Sequence, residues 1–301
     1  MQLTLRNINK RFGNKQVLTD VNLTATSGRA FGLLGRNGAG KTTTIRILLN
    51  VFPSDGGQIL VDGAPVDYTR IRFGYLPEER GLHPKKTVID QLAYFAMLKG
   101  LTKPQAVAAV DKWLDRLDMS EYRNKRLDTL SKGNQQKIQL VTALAHDPDV
   151  VVLDEPFSGL DPVNAKLLKD IVKETIEQGK IVLFSSHQMN YIEEFCDDIA
   201  ILNNGKIVLD GDLREVKRSY PRNKLAIRSP QADVILAELG SGQKTDVDEV
   251  LLTFPEDVDI HRAMRLVTER YAVDEVRIYE PSLNDIFVSL TADKVDKEAA
   301  Q

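Results

Sequence analysis

Two carboxylates, Asp154 and Glu155, close a run of apolar residues, Val150-Val151-Val152-Leu153. Far upstream stands Gly35-Arg36-Asn37-Gly38-Ala39-Gly40-Lys41-Thr42, which meets the pattern G-x-x-x-x-G-K-[ST] at each fixed position. The chemistry such a loop offers is anion binding: glycines let the backbone approach, and a row of N–H groups plus a helix N-terminus aims at one phosphate chain. Gly35, Asn37, Gly38, Ala39, Gly40, Lys41, Thr42 and Thr43 are therefore the candidate cradle, with Lys41 reaching the β- and γ-phosphates. In such a site the Thr42 hydroxyl ligates Mg²⁺ and Asp154 holds the same ion, through water. Glu155 is placed to orient and deprotonate an attacking water. A third candidate, His187, ends the apolar run Ile181-Val182-Leu183-Phe184, at the same sheet edge as the carboxylates and within reach of a γ-phosphate.

These residues need a particular frame. The apolar segment 29–34, the loop and the helix-spaced residues after Thr43 read as strand, loop, helix. The unbroken apolar strand before Asp154 reads as buried on both faces, as in a parallel sheet, and open α/β sheets bind ligands at the C-terminal ends of such strands. Residues 1 to 28 alternate polar and apolar, with a turn at Gly13-Asn14-Lys15, and read as a hairpin with one buried face. Phe12, just before that turn, either packs in the strand or stacks on a base. Helical spacing dominates from Thr87 to about His146, including Trp113, a core or interface residue, and Pro104 suits a first helical turn. Ser131 is placed to cap a helix that begins with polar residues.

Near residue 218 the pattern resets. The remainder reads strand, helix, strand, strand, helix, strand, the order of a ferredoxin-like unit, then a helix opened by the capping pair Ser282 and Asp285. The tail from Asp293 is charged and reads as frayed. The expected organisation is thus an ATPase-type α/β domain over 1–218, with a helical subdomain at about 84–147, and an accessory α+β domain over 219–301.

A net charge of −3 over 301 residues gives no support for a polyanion partner. The lone Cys196 excludes an internal disulfide and reads as a small buried hydrophobe on a helix. No apolar run approaches the roughly 18 residues of a membrane span, and the first residues lack a secretion signal. The expected place is the cytosol, with any membrane work done through a partner.

Together these pieces resemble the ATPase subunit of ATP-binding cassette (ABC) transporters over roughly residues 1–218. Residues 35–42 look like Walker A, Leu130-Ser131-Lys132-Gly133-Asn134-Gln135-Gln136-Lys137 like the ABC signature, and residues 150–155 like Walker B with its catalytic glutamate. Ser158-Gly159-Leu160-Asp161 is similar to the D-loop, and His187 stands at the switch histidine. The resemblance implies a phosphate-loop fold with an antiparallel β subdomain and a helical subdomain, ATP and Mg²⁺ as ligands, and Phe12 stacked on adenine. It also implies a head-to-tail homodimer in which Ser131, Gly133 and Gln135 serve the partner's nucleotide, and a membrane permease as second partner. Where the family carries Gly-Gly in the signature this chain has Lys132-Gly133, and Glu78 takes the place of the lid-loop glutamine, as a candidate ligand of Mg²⁺ or its water. Both variants, with Glu78-Glu79-Arg80-Gly81-Leu82 and the segment 281–287, are similar to the export-type branch that pairs with ABC-2 permeases and moves sodium, drugs or peptides. The alternative is a non-transport ABC ATPase acting on ribosomes or DNA; against it stand a single cassette, only about 50 residues between Glu78 and the signature, and the lack of a basic patch. A metabolic kinase or GTPase fails on the signature.

Overall fold

The computed structural model describes residues 1–79, 81–157, 160–255 and 257–292. Ser158 and Gly159 of the D-loop segment, Arg80, and the tail from Asp293 lie outside them. Internal contacts divide the chain into a unit ending at Leu213 and a second unit from Arg214, where the sequence pattern put the boundary at 218/219.

The first unit opens with the expected hairpin, β1 (Gln2–Phe12) and β2 (Lys15–Thr26), closed where Phe12 pairs with Lys15. After β3 (Ala30–Leu34) and α1 (Lys41–Leu48) come β4 (Gly56–Val61) and β5 (Ala64–Pro65). Gly63, at φ 82, lets the chain fold straight back from β4 into the short β5. These strands form an antiparallel sheet in the order β2-β1-β4-β5.

Strand β6 (Phe73–Leu76) leads to the helical part: α2 (Val88–Leu98), α3 (Lys103–Arg116) and α4 (Lys132–Leu144). Trp113 sits half-buried on α3. The second half alternates β7 (Val150–Asp154), α5 (Pro162–Glu177), β8 (Ile181–Ser186) and α6 (Met189–Phe195), then β9 (Asp198–Asn203) and β10 (Lys206–Asp212). The resulting sheet has the order β10-β9-β3-β8-β7-β6, parallel except for β10. Strands β3, β7 and β8 are buried at each position, which is why their sequences run apolar without alternation. Leu3, Leu18 and Ile45 share one core with Leu33, Val152 and Leu183, so the antiparallel sheet, α1 and the parallel sheet close on each other. Cys196 is buried, but it ends α6 in an extended conformation rather than lying within the helix.

Helix α4 lies unusually close to β6. A Cβ on Gly74 would stand 2.1 Å from Ala143 O, so only glycine admits that approach. The contact seals in His146, which is 2% exposed, with its Nε2 3.1 Å from Phe73 O and its Nδ1 without a partner.

Helix α7 (Leu213–Arg218) begins at the last residue of the first unit, and the second unit continues with β11 (Lys224–Arg228), α8 (Ala232–Leu239), β12 (Gly242–Asp246), β13 (Glu249–Thr253), α9 (Ile260–Arg270), β14 (Glu275–Ile278) and α10 (Leu283–Ala292). The sheet order β12-β13-β11-β14, antiparallel throughout, is the ferredoxin-like arrangement. Ser282 and Asp285 bond reciprocally at the start of α10, as their spacing requires. Among the described residues no helix is long and apolar enough to cross a membrane.

Burial pushes the His146 pKa down from 6.5 to about 4. The unfolded chain therefore binds a proton that the folded chain refuses, and stability falls as pH drops through that window. Chemical denaturation of wild type should lose on the order of 3 kcal/mol from this group between pH 6.5 and 4. His146→Gln should flatten that part of the curve; identical slopes for the two proteins would remove His146 as the cause.

Candidate functional site

The loop after β3 enters α1 through Gly40, whose φ of 113 and ψ of 3 a side chain would resist. Gly40 supplies no side-chain cap to the helix, so its first turn presents backbone N–H groups in the manner of an anion site. The loop opens onto a cleft of about 390 Å³ lined by Val17, Arg36, Asn37, Gly38, Gly40, Lys41, Thr42, Thr43, Glu78, Asp154 and Glu155. Residues from four separate stretches of the chain thus meet at the C-terminal ends of β3, β6 and β7.

The cleft is charged, and three of its ionisable side chains, Lys41, Asp154 and Glu155, are buried. Lys41 is buried, its Nζ donating to Gly35 O at 2.7 Å and to Arg36 O at 3.5 Å. Burial lowers its pKa, while Glu155, Asp154 and Glu78 work to keep the proton on. Asp154, at the end of β7, is also buried; burial raises its carboxyl pKa, and the charges of Glu78 and Glu155 add to that rise. The Tyr75 hydroxyl lies 3.5 Å from Asp154 Oδ2 and is itself pushed up to about 12, first by burial and then by that carboxylate.

Glu155 is held more tightly than the sequence suggested. Its φ of 50 puts a non-glycine residue in the left-handed region, a strain of roughly 1–2 kcal/mol. Four contacts hold it there. The Glu155 N–H donates to Ser185 O at 2.8 Å. Oε2 accepts from Ser186 Oγ at 2.9 Å. Oε1 accepts from the His187 N–H at 2.8 Å and lies 2.6 Å from His187 Nδ1. The carboxylate is buried, whereas the His187 side chain is 53% exposed, so the ring's outer edge faces solvent while its inner nitrogen grips Glu155.

The remaining candidates sit elsewhere. Phe12 is 48% exposed and stands edge-on to Phe52 at 5.5 Å, with Lys10 Nζ 5.4 Å from its ring centre; it does not line the cleft. Gly35 and Ala39 are buried beneath the loop. Ser131 caps α4, accepting from Asn134 N at 3.3 Å, and Gln135 Nε2 donates to Leu130 O at 2.9 Å. Gly133 faces Asn164, whose Nδ2 would stand 3.1 Å from a Cβ there. None of Ser131, Gly133 and Gln135 lines the cleft of the same chain. Of the D-loop segment, Asp161 caps α5 through Asn164 N at 2.9 Å.

Sequence reasoning passed over Val17, Arg36, Tyr75 and Ser186. Only Tyr75 carried a usable signal, as a polar aromatic in the strand that leads to Glu78. Among the described residues no three His, Cys, Asp or Glu side chains are grouped to hold a metal ion on their own.

Residues 18–158 match the family described as ABC transporter, and residues 211–291 match the C-terminal domain of ATP-binding protein DrrA1-3-like. The chain is 42% identical over 290 residues to the uncharacterised ABC transporter ATP-binding protein YhaQ of Bacillus subtilis, covering 95% of this chain and 97% of that one. It is 35% identical over 300 residues to the Nod factor export ATP-binding protein I of Burkholderia lata, covering 96% of each. A solved structure described as the ATP binding subunit of an ABC transporter superposes with a TM-score of 0.66 at 28% identity, over 72% of this chain and 92% of that one.

Among the described residues that line the cleft Lys41 is the buried cation, set beside Asp154, Glu155 and Glu78, so its loss should be felt at once by an incoming polyanion. Lys41→Met is expected to bind a fluorescent ATP analogue at least about tenfold more weakly, near 1.4 kcal/mol, with an unchanged circular dichroism spectrum. Equal affinity of variant and wild type would mean that the anion does not enter beside Lys41.

Proposed function

This chain belongs to the ABC transporter ATP-binding proteins, whose general activity is ATP hydrolysis coupled to transport, and we propose that it powers a membrane exporter. The observation that carries this reading is the convergence of Lys41, Thr42, Glu78, Asp154 and Glu155 on one cleft beside the glycine loop. The match to the Nod factor export protein, and the DrrA1-3-like second unit, support export as the direction. A ribosome- or DNA-acting ATPase is set aside, since the full-length relatives are transporter subunits.

In the proposed mechanism Lys41 and the loop N–H groups hold the β- and γ-phosphates. Glu155 takes a proton from the attacking water, and His187 fixes the carboxylate that does so before turning its exposed edge to the γ-phosphate. The donors suit Mg²⁺: Thr42, Asp154 and Glu78 offer only oxygen, the ligand type that this hard cation takes together with phosphate oxygens and water. Such an ion would neutralise charge on the transferring phosphoryl group.

Ser131, Gly133 and Gln135 have no place in their own chain's cleft, which supports their acting on the nucleotide of a second copy in a head-to-tail dimer. ATP would then close the dimer by binding the closed state better than the open one, and hydrolysis would reopen it. Phe12, exposed at the end of β1, would stack on the base. A permease would hold the pair at the inner face of the cell membrane, docking near the exposed Tyr94, Met97 and Leu98 of α2, in the stretch from Glu78 to about Leu101.

Glu155→Gln should lose at least about a hundredfold in ATP turnover and elute as a dimer with ATP on a sizing column. A variant that turns over at the wild-type rate would rule out Glu155 as the base. With the permease reconstituted, Tyr94→Ala and Leu98→Ala should cut the permease-stimulated rate and spare the basal rate; equal loss of both would place the docking face elsewhere.

A further inference from the structure

The segment that carries Glu78 is gripped by a side chain that the mechanism above leaves unused. Gln139 of α4 is 3% exposed. Its Nε2 donates to Pro77 O at 3.1 Å and to Glu79 O at 3.1 Å. One amide group thus spends both hydrogens on the two carbonyls that flank Glu78. Those carbonyls lie beyond β6, where Pro77 ends the strand, so Gln139 supplies the donors that a strand neighbour would have given. Further along, the buried Gln91 of α2 does the same from the other side, accepting from His83 N at 3.1 Å and donating to Lys86 O at 3.4 Å.

We propose that Gln139 is a positioning residue for Glu78, and that it makes Glu78 follow helix α4. The inference rests on reading Glu78 as an oxygen donor in the nucleotide cleft. Helix α4 begins at Ser131 and Gly133, and Gln139 lies eight residues beyond Ser131, about 12 Å along the axis. The same helix is wedged on β6 at Gly74, with no room for a Cβ. Helix, strand end and the backbone around Glu78 are therefore one body. When the N-terminus of α4 meets a nucleotide held by a second copy, the shift reaches Glu78 through two hydrogen bonds and not through a slack linker. The state of the chain's own signature would then set how closely its third carboxylate, already at the cleft, approaches the cation.

The test is ATP hydrolysis by the full chain, titrated with Mg²⁺ at fixed ATP, for wild type, Gln139→Leu, Glu78→Gln and the double variant. Leucine keeps the volume and removes both donors. Gln139→Leu should raise the Mg²⁺ needed for half-maximal rate by about threefold or more and lower kcat, with KM for ATP moving less than about twofold. Added to Glu78→Gln it should change little further, because two residues that act as a unit are not additive. If Gln139→Leu proves unfolded by circular dichroism, Gln139→Asn, which keeps the amide one methylene short, takes its place in the same cycle. Additive effects, or an unchanged Mg²⁺ response in a folded Gln139 variant while Glu78→Gln shifts it, overturn the inference alone. An unchanged response in Glu78→Gln removes the role of Glu78 in the cleft and this inference with it.

Discussion

A single buried ammonium, that of Lys41, faces Glu155, Asp154 and Glu78 at one edge of a sheet buried on both faces. The imbalance follows from the fold. Parallel strands bury their whole length, so the side chains that can be charged collect where the strands end. Against Lys41 and the exposed Arg36, three carboxylates leave the described lining of this edge short of positive charge, and burial of Lys41, Asp154 and Glu155 has already made ions costly there. A polyphosphate alone would worsen the shortage, whereas a polyphosphate with a divalent cation relieves it. That is the physical argument for the proposed metal-bound nucleotide, whose ion no cluster among the described side chains would hold alone.

The second constraint is the fixed posture of Glu155. A strained backbone and bonds from Ser186 and His187 hold its carboxylate against the end of β8. Strain of this kind persists only where its surroundings over-determine it. On the proposed reading, with Glu155 as the base, this grip ties proton abstraction to the state of His187, whose other edge is open to solvent. On this account the free chain is a half-assembled site. It carries the cradle, the base and the cation's donors, while the capped, polar start of α4 points its candidates elsewhere.

Much of this was legible in the sequence because it depends on local pattern. Strand, glycine loop and helix around Lys41, the unbroken apolar runs of β7 and β8, and the ferredoxin-like order of the second unit all follow from periodicity and turn residues. The cap at Ser131 and the Ser282–Asp285 pair follow from spacing. What could not be read depends on distance along the chain. Tyr75 meets Asp154, Gln139 meets Pro77 and Glu79, and Val17 meets the loop, only after the sheet has assembled. The pairing of Glu155 with His187 is of the same kind: Glu155 was singled out for the attacking water and His187 for a γ-phosphate, and the fold brought them to each other. Gly74 looked like any strand glycine until α4 was packed on it. Cys196 was read as buried, correctly, yet placed inside a helix that in fact stops one residue earlier.

The central claim is that each nucleotide lies between the loop of one copy and the signature of another. Asn37 and Lys132 are exposed, and the lone native cysteine is buried, so the claim can be read by cross-linking. Chains carrying Glu155→Gln with Asn37→Cys are mixed with chains carrying Glu155→Gln with Lys132→Cys and treated with a short bis-maleimide. The expected result is a covalent dimer that forms with ATP, in the mixture and not in either preparation alone. No ATP-dependent covalent dimer in the mixture would contradict the account.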